Sequence, residues 1–439
     1  MRPALLCYAP LIASAWATAA QADAPSVLSD ATFNVLSRTF FLNNDTRTGH
    51  SGDSYNRESA QGFIGRFESG YTPGTVGVGV DAHGFVGSRL DSGGGRAGTG
   101  LLPVGESGKA ASDYSSAGGA LKLRVGDMRL KVGEMEVETP VFDTADKRLQ
   151  PEYATGALLQ GQAGSALSWT AGHFSAFKNQ DESSSASDFD GYGATTRHHS
   201  ISLLGVQSAA SAPIGGALYA AELSDTWRQY YANLHFNHTL SSDSSLNWDA
   251  NLYRTLNTGA ASAGSINTTA SSLLAKLKIA QQAFSLGYQK IHGDTPFDFV
   301  GGDSIYLANS IKYADFNGAN EQSWQARYDL DLSQLLTPGL TFMTRYVRGS
   351  QIDGSHAAKG GAYNPYDAEL GSYVPNQSSG GRHWERDIEA KYKVQSGAAK
   401  DLALTLSYVT HRGNDAQAGR DIDRVYVVLE YPFDVLNGH

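Results

Sequence analysis

A period-two alternation of apolar and polar residues, repeated in short runs along nearly the whole chain, most constrains the fold. One such run places Leu234 and Phe236 next to Asn233 and His235, and equivalent runs recur from Phe33 onward. Successive side chains of a strand point to opposite faces, so each run predicts a strand with one apolar and one polar face. Beyond residue 22, no stretch approaches the roughly 18 apolar residues that a membrane helix needs. The chain is therefore predicted to be all-β.

The connections between these runs alternate in length. Short turns, such as the one at Gly126 and Asp127, alternate with long polar connections at 179–196, 292–303 and 351–381. This pattern is typical of a transmembrane antiparallel up-and-down β-barrel whose short turns face the periplasm. At roughly 23 residues per strand with its connection, the chain predicts about 18 strands, with 16 as the nearest alternative.

A soluble propeller or sandwich would show similar isolated strands. Two features favour the membrane barrel: the polar faces are charged along their length, and aromatic residues stand at the ends of the apolar faces, as in an interfacial girdle. The aromatic residues concerned are Tyr71, Tyr328, Tyr346, Tyr392, Tyr408 and Tyr431.

The N-terminus predicts a secretory signal peptide over residues 1–22, which is cleaved to leave one barrel domain over 23–439. Arg2 supplies a positive start, an apolar region follows to Trp16, and Ala20 and Ala22 form a small-residue cleavage site. The only cysteine, Cys7, lies within the signal, so the mature chain is expected to have neither disulfides nor a thiolate metal site.

Mean hydropathy is −0.32, which by itself suggests a soluble protein. A barrel gives the same average, because polar lumen residues alternate with apolar lipid-facing ones. The net charge is −10 although several strand faces are basic, so the acids are expected to concentrate in loops and turns. A basic interior attracts anions even when the whole molecule is acidic.

A basic hairpin followed by an irregular segment predicts a constriction. Lys122 and Arg124 alternate with aliphatic residues before the Gly126 turn, and Arg129 and Lys131 alternate with them after it. The segment from 133 to 157 has no sustained alternation. Such a loop on a basic hairpin is interpreted as a narrowing inside a hollow structure.

The chain closely resembles the OprD family of substrate-specific outer-membrane channels. Matching stretches occur in order along the mature chain and include ESGYTPGTVGVGVDAHG (68–84), DYSSAGGALKLRVGDMRLKVGEM (113–135), PVFDTADKRLQPEYATG (140–156) and HWERDIEAKYKVQSGAAKDL (383–402). The resemblance implies an 18-stranded monomeric barrel with a long third loop folded into the lumen. It also implies basic residues along the wall and small carboxylate-bearing substrates, often amino acids.

Basic residues on the polar strand faces are the first candidate transport residues. A carboxylate that passes spaced cationic groups exchanges one charge-assisted pair for the next without sinking into a deep well. The alternative is that some of them only pair with lumen acids such as Asp329, Asp387 and Glu389 to hold the wall. This basic ladder comprises Arg38, Lys122, Arg124, Arg129, Lys131, Arg327, Arg345, Lys391 and Arg424.

The resemblance adds a constriction residue and an acidic patch. It places Arg148 at the narrowest point, and the alternative for this arginine is a loop-anchoring salt bridge with Asp143, Asp146 or Glu152. It assigns Asp303, Tyr313 and Asp315 to a patch that receives an ammonium or guanidinium group, and the last two are expected to share a strand face. A turn or capping role is the alternative for Asp303.

The chain departs from its family at four places. Thr405 and Ser407 stand where relatives selective for basic amino acids carry arginines, and Tyr426 stands where they carry another. These changes indicate a weaker anion path or a different solute. Phe433 is followed by a six-residue tail ending in Asn437, Gly438 and His439, although such strands commonly finish near an aromatic residue.

Together these features predict a passive channel in the outer membrane of a Gram-negative bacterium for small carboxylate-bearing solutes, with basic or zwitterionic amino acids as the first expectation. The alternatives are a less selective ion-conducting porin, an aromatic-carboxylate channel and, remotely, an outer-membrane hydrolase. No spacing suggests a catalytic set, a metal site, a cofactor or a nucleic-acid surface. Expected partners are the solutes, outer-membrane lipid, lipopolysaccharide and the barrel-assembly machinery.

Overall fold

The computed structural model describes residues 26–47, 55–91, 96–185, 189, 200–417, 419 and 421–436. The predicted signal peptide and the tail residues Asn437, Gly438 and His439 lie outside the described residues. Eighteen strands form one antiparallel sheet in which each strand pairs with its neighbours in sequence. The last strand pairs with the first, with Arg38 opposite Glu430, and so closes the barrel. The prediction of an 18-stranded up-and-down barrel is confirmed.

The barrel strands, numbered in chain order, have the following bounds: β1 Thr32–Thr46, β2 Tyr55–Glu68, β3 Val76–Arg89, β4 Asp113–Val125, β5 Met128–Met135, β6 Tyr153–Ala163, β7 Leu167–Lys178, β8 Ile201–Ser208, β9 Ile214–Leu223, β10 Trp227–Ser241, β11 Ser244–Asn257, β12 Asn267–Ile279, β13 Gln282–His292, β14 Gln322–Asp331, β15 Leu340–Ile352, β16 Gly381–Lys393, β17 Ala403–Gly413 and β18 Ile422–Asp434.

Helix is confined to short segments in the described part of the chain. These are the α-helix Ser26–Ser29 and a single 3₁₀ turn, Asp415–Gln417. No helix among the described residues is long and apolar enough to cross a membrane. Two further two-residue ladders lie in the loops, one pairing Glu138–Thr139 with Phe142–Asp143 and the other pairing Tyr366–Asp367 with Ser372–Tyr373.

Burial alternates along the strands as the sequence predicts. On β4, Leu121 is 63% exposed on the outer surface, whereas the next residue, Lys122, is 5% exposed and points inward. On β13, Leu286 is 68% exposed and Ser285 is 4% exposed. An apolar outer wall around a polar interior is the arrangement that faces lipid on one side and water on the other.

The third long connection, 136–152, folds into the lumen as predicted. Val141, Phe142 and Leu149 are completely buried, and the Phe142 ring packs 5.2 Å from the Phe174 ring of β7. Backbone groups of this third loop are bonded within the loop, as the Thr144 N–H is to the Val137 carbonyl at 2.8 Å, and to the wall, as the Pro140 carbonyl is to the Tyr253 hydroxyl at 2.8 Å.

A second loop inside the barrel was not predicted. Residues 293–321, between β13 and β14, contain no barrel strand, so the expectation that Tyr313 and Asp315 share a strand face is wrong. The reason is that this backbone is bonded to side chains instead of a neighbouring strand. The Glu385 carboxylate accepts hydrogen bonds from the N–H groups of Tyr313 (3.0 Å) and Ala314 (2.8 Å).

Candidate functional site

Two inward loops, the third loop (136–152) and the seventh loop (293–321), are bonded to each other. The Glu152 Oε2 atom accepts hydrogen bonds from the N–H groups of Ala145 (2.8 Å) and Gly302 (2.9 Å), and the Asp143 N–H donates to Ser304 Oγ at 2.6 Å. Burial raises the pKa of the Glu152 carboxyl group. One carboxylate therefore joins the two loops into a single partition across the lumen.

Between this partition and the wall formed by β14–β18 and β1 lies a cavity of about 550 Å³. Its lining is rich in charge, with seven basic and four acidic side chains. The basic residues are Arg38, Lys147, Arg148, Lys312, Arg327, Arg345 and Lys391, and the acidic residues are Asp146, Asp303, Glu389 and Glu430. We call this space the central cavity.

Arg38 occupies the central cavity but is committed to binding the third loop. Its Nε donates to Glu430 on β18 at 2.7 Å, and its Nη1 donates to Asp146 at 2.6 Å and to the Arg148 carbonyl at 2.7 Å. Its side chain is only 7% exposed. All three guanidinium nitrogens have partners, since Nη2 also donates to Asp146. Arg38 therefore anchors the loop to the wall.

Three other predicted ladder residues also have acidic partners, and two of them, Arg327 and Lys391, are more accessible from the cavity than Arg38. Arg327 pairs with Asp329 at 2.6 Å, and its side chain is 35% exposed. Lys391 pairs with Glu389 at 3.1 Å, and its side chain is 56% exposed. Arg345 donates to Asp387 from Nη2 at 2.6 Å and from Nε at 3.0 Å, and its side chain is only 10% exposed. The predicted pairing with lumen acids is therefore present for all three residues, which also line the cavity, and their transport role stays a prediction.

Arg148, on the third loop, lines the central cavity, and its place at the narrowest point stays a prediction from the family resemblance. Its Nε donates to the Thr99 carbonyl at 3.1 Å and its Nη1 to the Lys147 carbonyl at 2.9 Å. No carboxylate of the described residues lies within 4.0 Å of this guanidinium, so Asp146 pairs with Arg38 instead. Arg148 therefore holds its position through carbonyl groups and contributes uncompensated positive charge.

The ladder residues of β4 and β5 form a separate group. Lys122 and Lys131 both bind Asp81, at 2.5 and 2.6 Å, and the Arg124 guanidinium lies 4.8 Å from the centre of the Tyr71 ring. Arg129 is exposed beside the short turn. None of these four residues lines the central cavity; Lys131 lines a second lumenal cavity near β6 and β8–β11.

The predicted acidic patch is only partly assembled. Asp303 lines the central cavity and forms an ion pair with Lys147. Asp315 accepts a hydrogen bond from Ser310 Oγ at 2.7 Å, and burial raises the pKa of its carboxyl group. Tyr313 is not among the residues that line the cavity, and its ring is 4.7 Å from the Arg424 guanidinium. Arg424 in turn donates to Asn44 at 2.6 Å.

The three substituted positions line the central cavity. Ser407 Oγ donates to Glu389 at 2.8 Å, and the Tyr426 hydroxyl accepts a hydrogen bond from Arg424 Nη1 at 2.9 Å. The sequence reading did not include Lys312, which pairs with Glu389 at 2.6 Å from the seventh loop, or the carboxylate of Glu430. Lys312 stands in a segment without alternation, so no periodic signal marked it as lumenal.

Comparison with known proteins agrees with this architecture. The profile of the family described as "outer membrane porin, OprD family" matches residues 26–435. Porin D of Pseudomonas aeruginosa is 42% identical over 425 residues, which cover 95% of this chain and 94% of that protein. The porin-like protein GalP of Pseudomonas putida is 32% identical and covers 97% of this chain and 98% of its own length.

The fold is likewise that of solved porins. The crystal structure of OpdK from Pseudomonas aeruginosa with vanillate superimposes with a TM-score of 0.82 at 33% identity, covering 93% of this chain and 100% of that one. These relatives are channels rather than enzymes, which removes the hydrolase alternative. The 18-stranded barrel, the inward third loop and the match over 26–435 together show that this chain belongs to the OprD family of Gram-negative outer-membrane porins.

Proposed function

We propose that this porin passes small carboxylate-bearing solutes passively into the periplasm, with basic and zwitterionic amino acids as its preferred class. The observation that carries the proposal is the lining of the central cavity, where seven basic side chains face four acidic ones. An excess of fixed positive charge in a narrow lumen raises the local concentration of anions.

The arrangement of the charges suits transit rather than retention. Arg327, Arg345 and Lys391 lie on three adjacent strands, and each already has an acidic partner at 3.1 Å or less. A solute carboxylate therefore competes with a protein carboxylate at every position, which keeps each binding step shallow. Conduction requires binding that is favourable enough for entry and weak enough for exit.

The acidic members of the lining provide for a positive solute group. Asp303 and Glu389 lie on different elements and face the same cavity as the cations. A solute with both a carboxylate and an ammonium group can match the two signs at once, whereas a simple anion meets only one of them.

An aromatic carboxylate is the second candidate. The Phe40 and Tyr426 rings both line the central cavity, with their centres 6.2 Å apart, and Thr405 and Ser407 contribute no charge there. Vanillate, present in the OpdK structure, is itself an aromatic carboxylate. A less selective ion-conducting porin is the third possibility.

The experiment is single-channel current in a planar bilayer while arginine, and then benzoate, is titrated into one chamber. Block that depends on arginine concentration, with none by benzoate, supports the amino-acid channel. Block by benzoate alone assigns the aromatic class, and block by neither favours the less selective porin.

The proposal extends to processing and partners. The mature chain begins at Asp23 after removal of residues 1–22, and residues 23–439 form one barrel domain that acts as a monomer. The barrel-assembly machinery inserts it, and its outer wall contacts outer-membrane lipid and lipopolysaccharide, as the exposed apolar side chains of that wall require.

A further inference from the structure

The outer wall changes from apolar to polar along one row of residues that lie opposite one another on adjacent strands. On β8 to β13 the register aligns Leu204, Ala220, Tyr230, Arg254, Thr269 and His292 in that order. The members of this row face outward, because the residues beside them in the strands, such as Tyr253 and Thr255, are completely buried in the lumen. Arg254 therefore marks the boundary between an apolar and a polar part of the outer surface.

On the apolar side of Arg254 lies a groove of about 410 Å³. Its ridges are Leu204, Leu218 and Leu252, which are 47–64% exposed, and its floor contains the small outward residues Ala220 and Ala232. A groove with a small-residue floor between aliphatic ridges has the shape and chemistry of a site for a lipid acyl chain.

On the polar side of Arg254 lies a cleft of about 380 Å³. It is lined by His292, Asp294, Asn320 and His356, together with smaller polar residues. Lys290 lies next to it, with its Nζ donating to the Asn320 carbonyl at 2.7 Å. The Arg254 guanidinium, the Lys290 ammonium, two imidazoles and amide groups provide the donors that a phosphorylated sugar needs, beside the carboxylates of Asp294 and of Asp353, which lies 4.0 Å from His356.

Arg254 lines both cavities and is not neutralised by an ion pair. Its Nη1 donates to Thr269 Oγ1 at 3.0 Å and its Nη2 to Asn267 Oδ1, and no carboxylate of the described residues lies within 4.0 Å of it. An outward arginine this close to the end of β11 stands at the level of lipid headgroups, since only two residues separate it from Asn257, the last residue of the strand.

We infer that this surface binds a single molecule of the phosphorylated, acylated glycolipid of the outer leaflet, with an acyl chain in the groove and a phosphate on Arg254. The inference is separate from the transport proposal, because none of these residues lines the central cavity. The unpaired Arg254 guanidinium with the polar donors of the cleft, and the adjoining apolar groove, match the phosphorylated and the acylated halves of one lipid A molecule. A second copy of this chain would supply no phosphate.

The test is native mass spectrometry of the full-length porin in a mild detergent with three probes: bisphosphorylated lipid A, the same lipid without its phosphates, and inorganic phosphate. The wild-type protein is expected to retain one bisphosphorylated lipid, to bind the dephosphorylated lipid about tenfold more weakly, and to retain no inorganic phosphate. Arg254→Ala should weaken binding of bisphosphorylated lipid A by a similar factor.

Arg348→Ala is the matched control, since Arg348 is an exposed outward arginine of β15 that lines neither cavity. It should bind lipid A as the wild type does. Equal binding of the phosphorylated and dephosphorylated lipids by the wild type would overturn the inference even if the Arg254 variant failed to fold. So would undiminished binding by Arg254→Ala, or a lipid-free dimer.

Discussion

At the scale of single residues, the central cavity contains two kinds of cation that sequence alone does not separate. Arg38 and Arg345 both stand at inward positions of their strands. All guanidinium nitrogens of Arg38, however, donate hydrogen bonds to Asp146, Glu430 or a loop carbonyl. The alternation predicts that a side chain points inward. It contains no information about which loop residue meets that side chain.

The Arg38→Ala variant should loosen the third loop. Loss of three charge-assisted hydrogen bonds, two to Asp146 and one to the Arg148 carbonyl, removes about 1–3 kcal/mol of loop anchoring. We expect larger single-channel conductance with more current noise. Arg327→Ala is the control, because Arg327 pairs within its own strand and should change selectivity without added noise. Equal noise in both variants would show that Arg38 is not an anchor.

Asp143 predicts a pH dependence of the same loop. Burial, followed by the charges of Asp303 and Glu138, raises the pKa of the Asp143 carboxyl group to about 7, although its acceptance of a hydrogen bond from the Tyr306 hydroxyl at 2.6 Å opposes the shift. A raised pKa means that the folded loop favours the protonated acid. The protonated Asp143 carboxyl group therefore stabilises the folded loop fully below about pH 4, the pKa of this group in the unfolded chain. This stabilisation is lost as the pH rises through about 7, the pKa in the folded loop.

Current noise from the third loop should consequently increase as the pH rises from about 4 to about 7, and should level off above that. The Asp143→Asn variant keeps an acceptor for Tyr306 and has no charge to gain, so its noise should stay flat over that interval. A wild-type channel whose noise does not change with pH, or an Asn variant that keeps the dependence, contradicts this assignment.

At the scale of elements, the β4–β5 hairpin depends on a glycine whose role the sequence does not reveal. Gly133 has φ +139°, and a Cβ atom there would lie 2.3 Å from the Gly119 carbonyl oxygen and 2.7 Å from the Ala120 Cα. Both contacts are with the backbone of β4, so relief requires the two strands to separate. The residue next to it, Glu134, contacts His83 at 2.8 Å inside the barrel.

Gly133→Ala should destabilise the barrel by more than about 2 kcal/mol, measured as the urea midpoint of the folded band in heat-modifiability gels. Gly126→Ala is the matched control. Gly126 also has positive φ, at +57°, but a Cβ atom there meets nothing within 4 Å, so its cost should be only about 1 kcal/mol. Equal effects of the two substitutions would mean that close strand approach contributes nothing.

The strands were predictable and the seventh loop was not, for one physical reason. A strand such as β4 has one lipid-facing and one water-facing side. In the sequence this contrast appears as the alternation of apolar and polar residues in Leu121, Lys122 and Leu123. Lys312 and Asp315 belong to a segment whose backbone is bonded to Glu385 and Gln289 side chains more than 20 positions away. Such hydrogen bonds produce no periodic pattern in the sequence, so only the structure showed that Lys312 lies in the lumen.

At the scale of the whole molecule, an acidic chain encloses a basic passage. The net charge is −10, yet the central cavity has three more basic than acidic side chains. The composition and hairpin pattern predicted this contrast. They did not predict that the β4–β5 cations would stand apart from the central cavity, because that separation depends on where the third loop crosses the lumen.

The central claim is that uncompensated positive charge at the constriction selects carboxylates, and the most direct measurement is the reversal potential of single channels in a KCl gradient. Anion preference is expected for the wild type, a clear reduction for Arg148→Ala, and near wild-type behaviour for Arg129→Ala, because Arg129 lies outside the central cavity. A cation-selective wild type, or an Arg148→Ala channel with an unchanged reversal potential, would contradict the account.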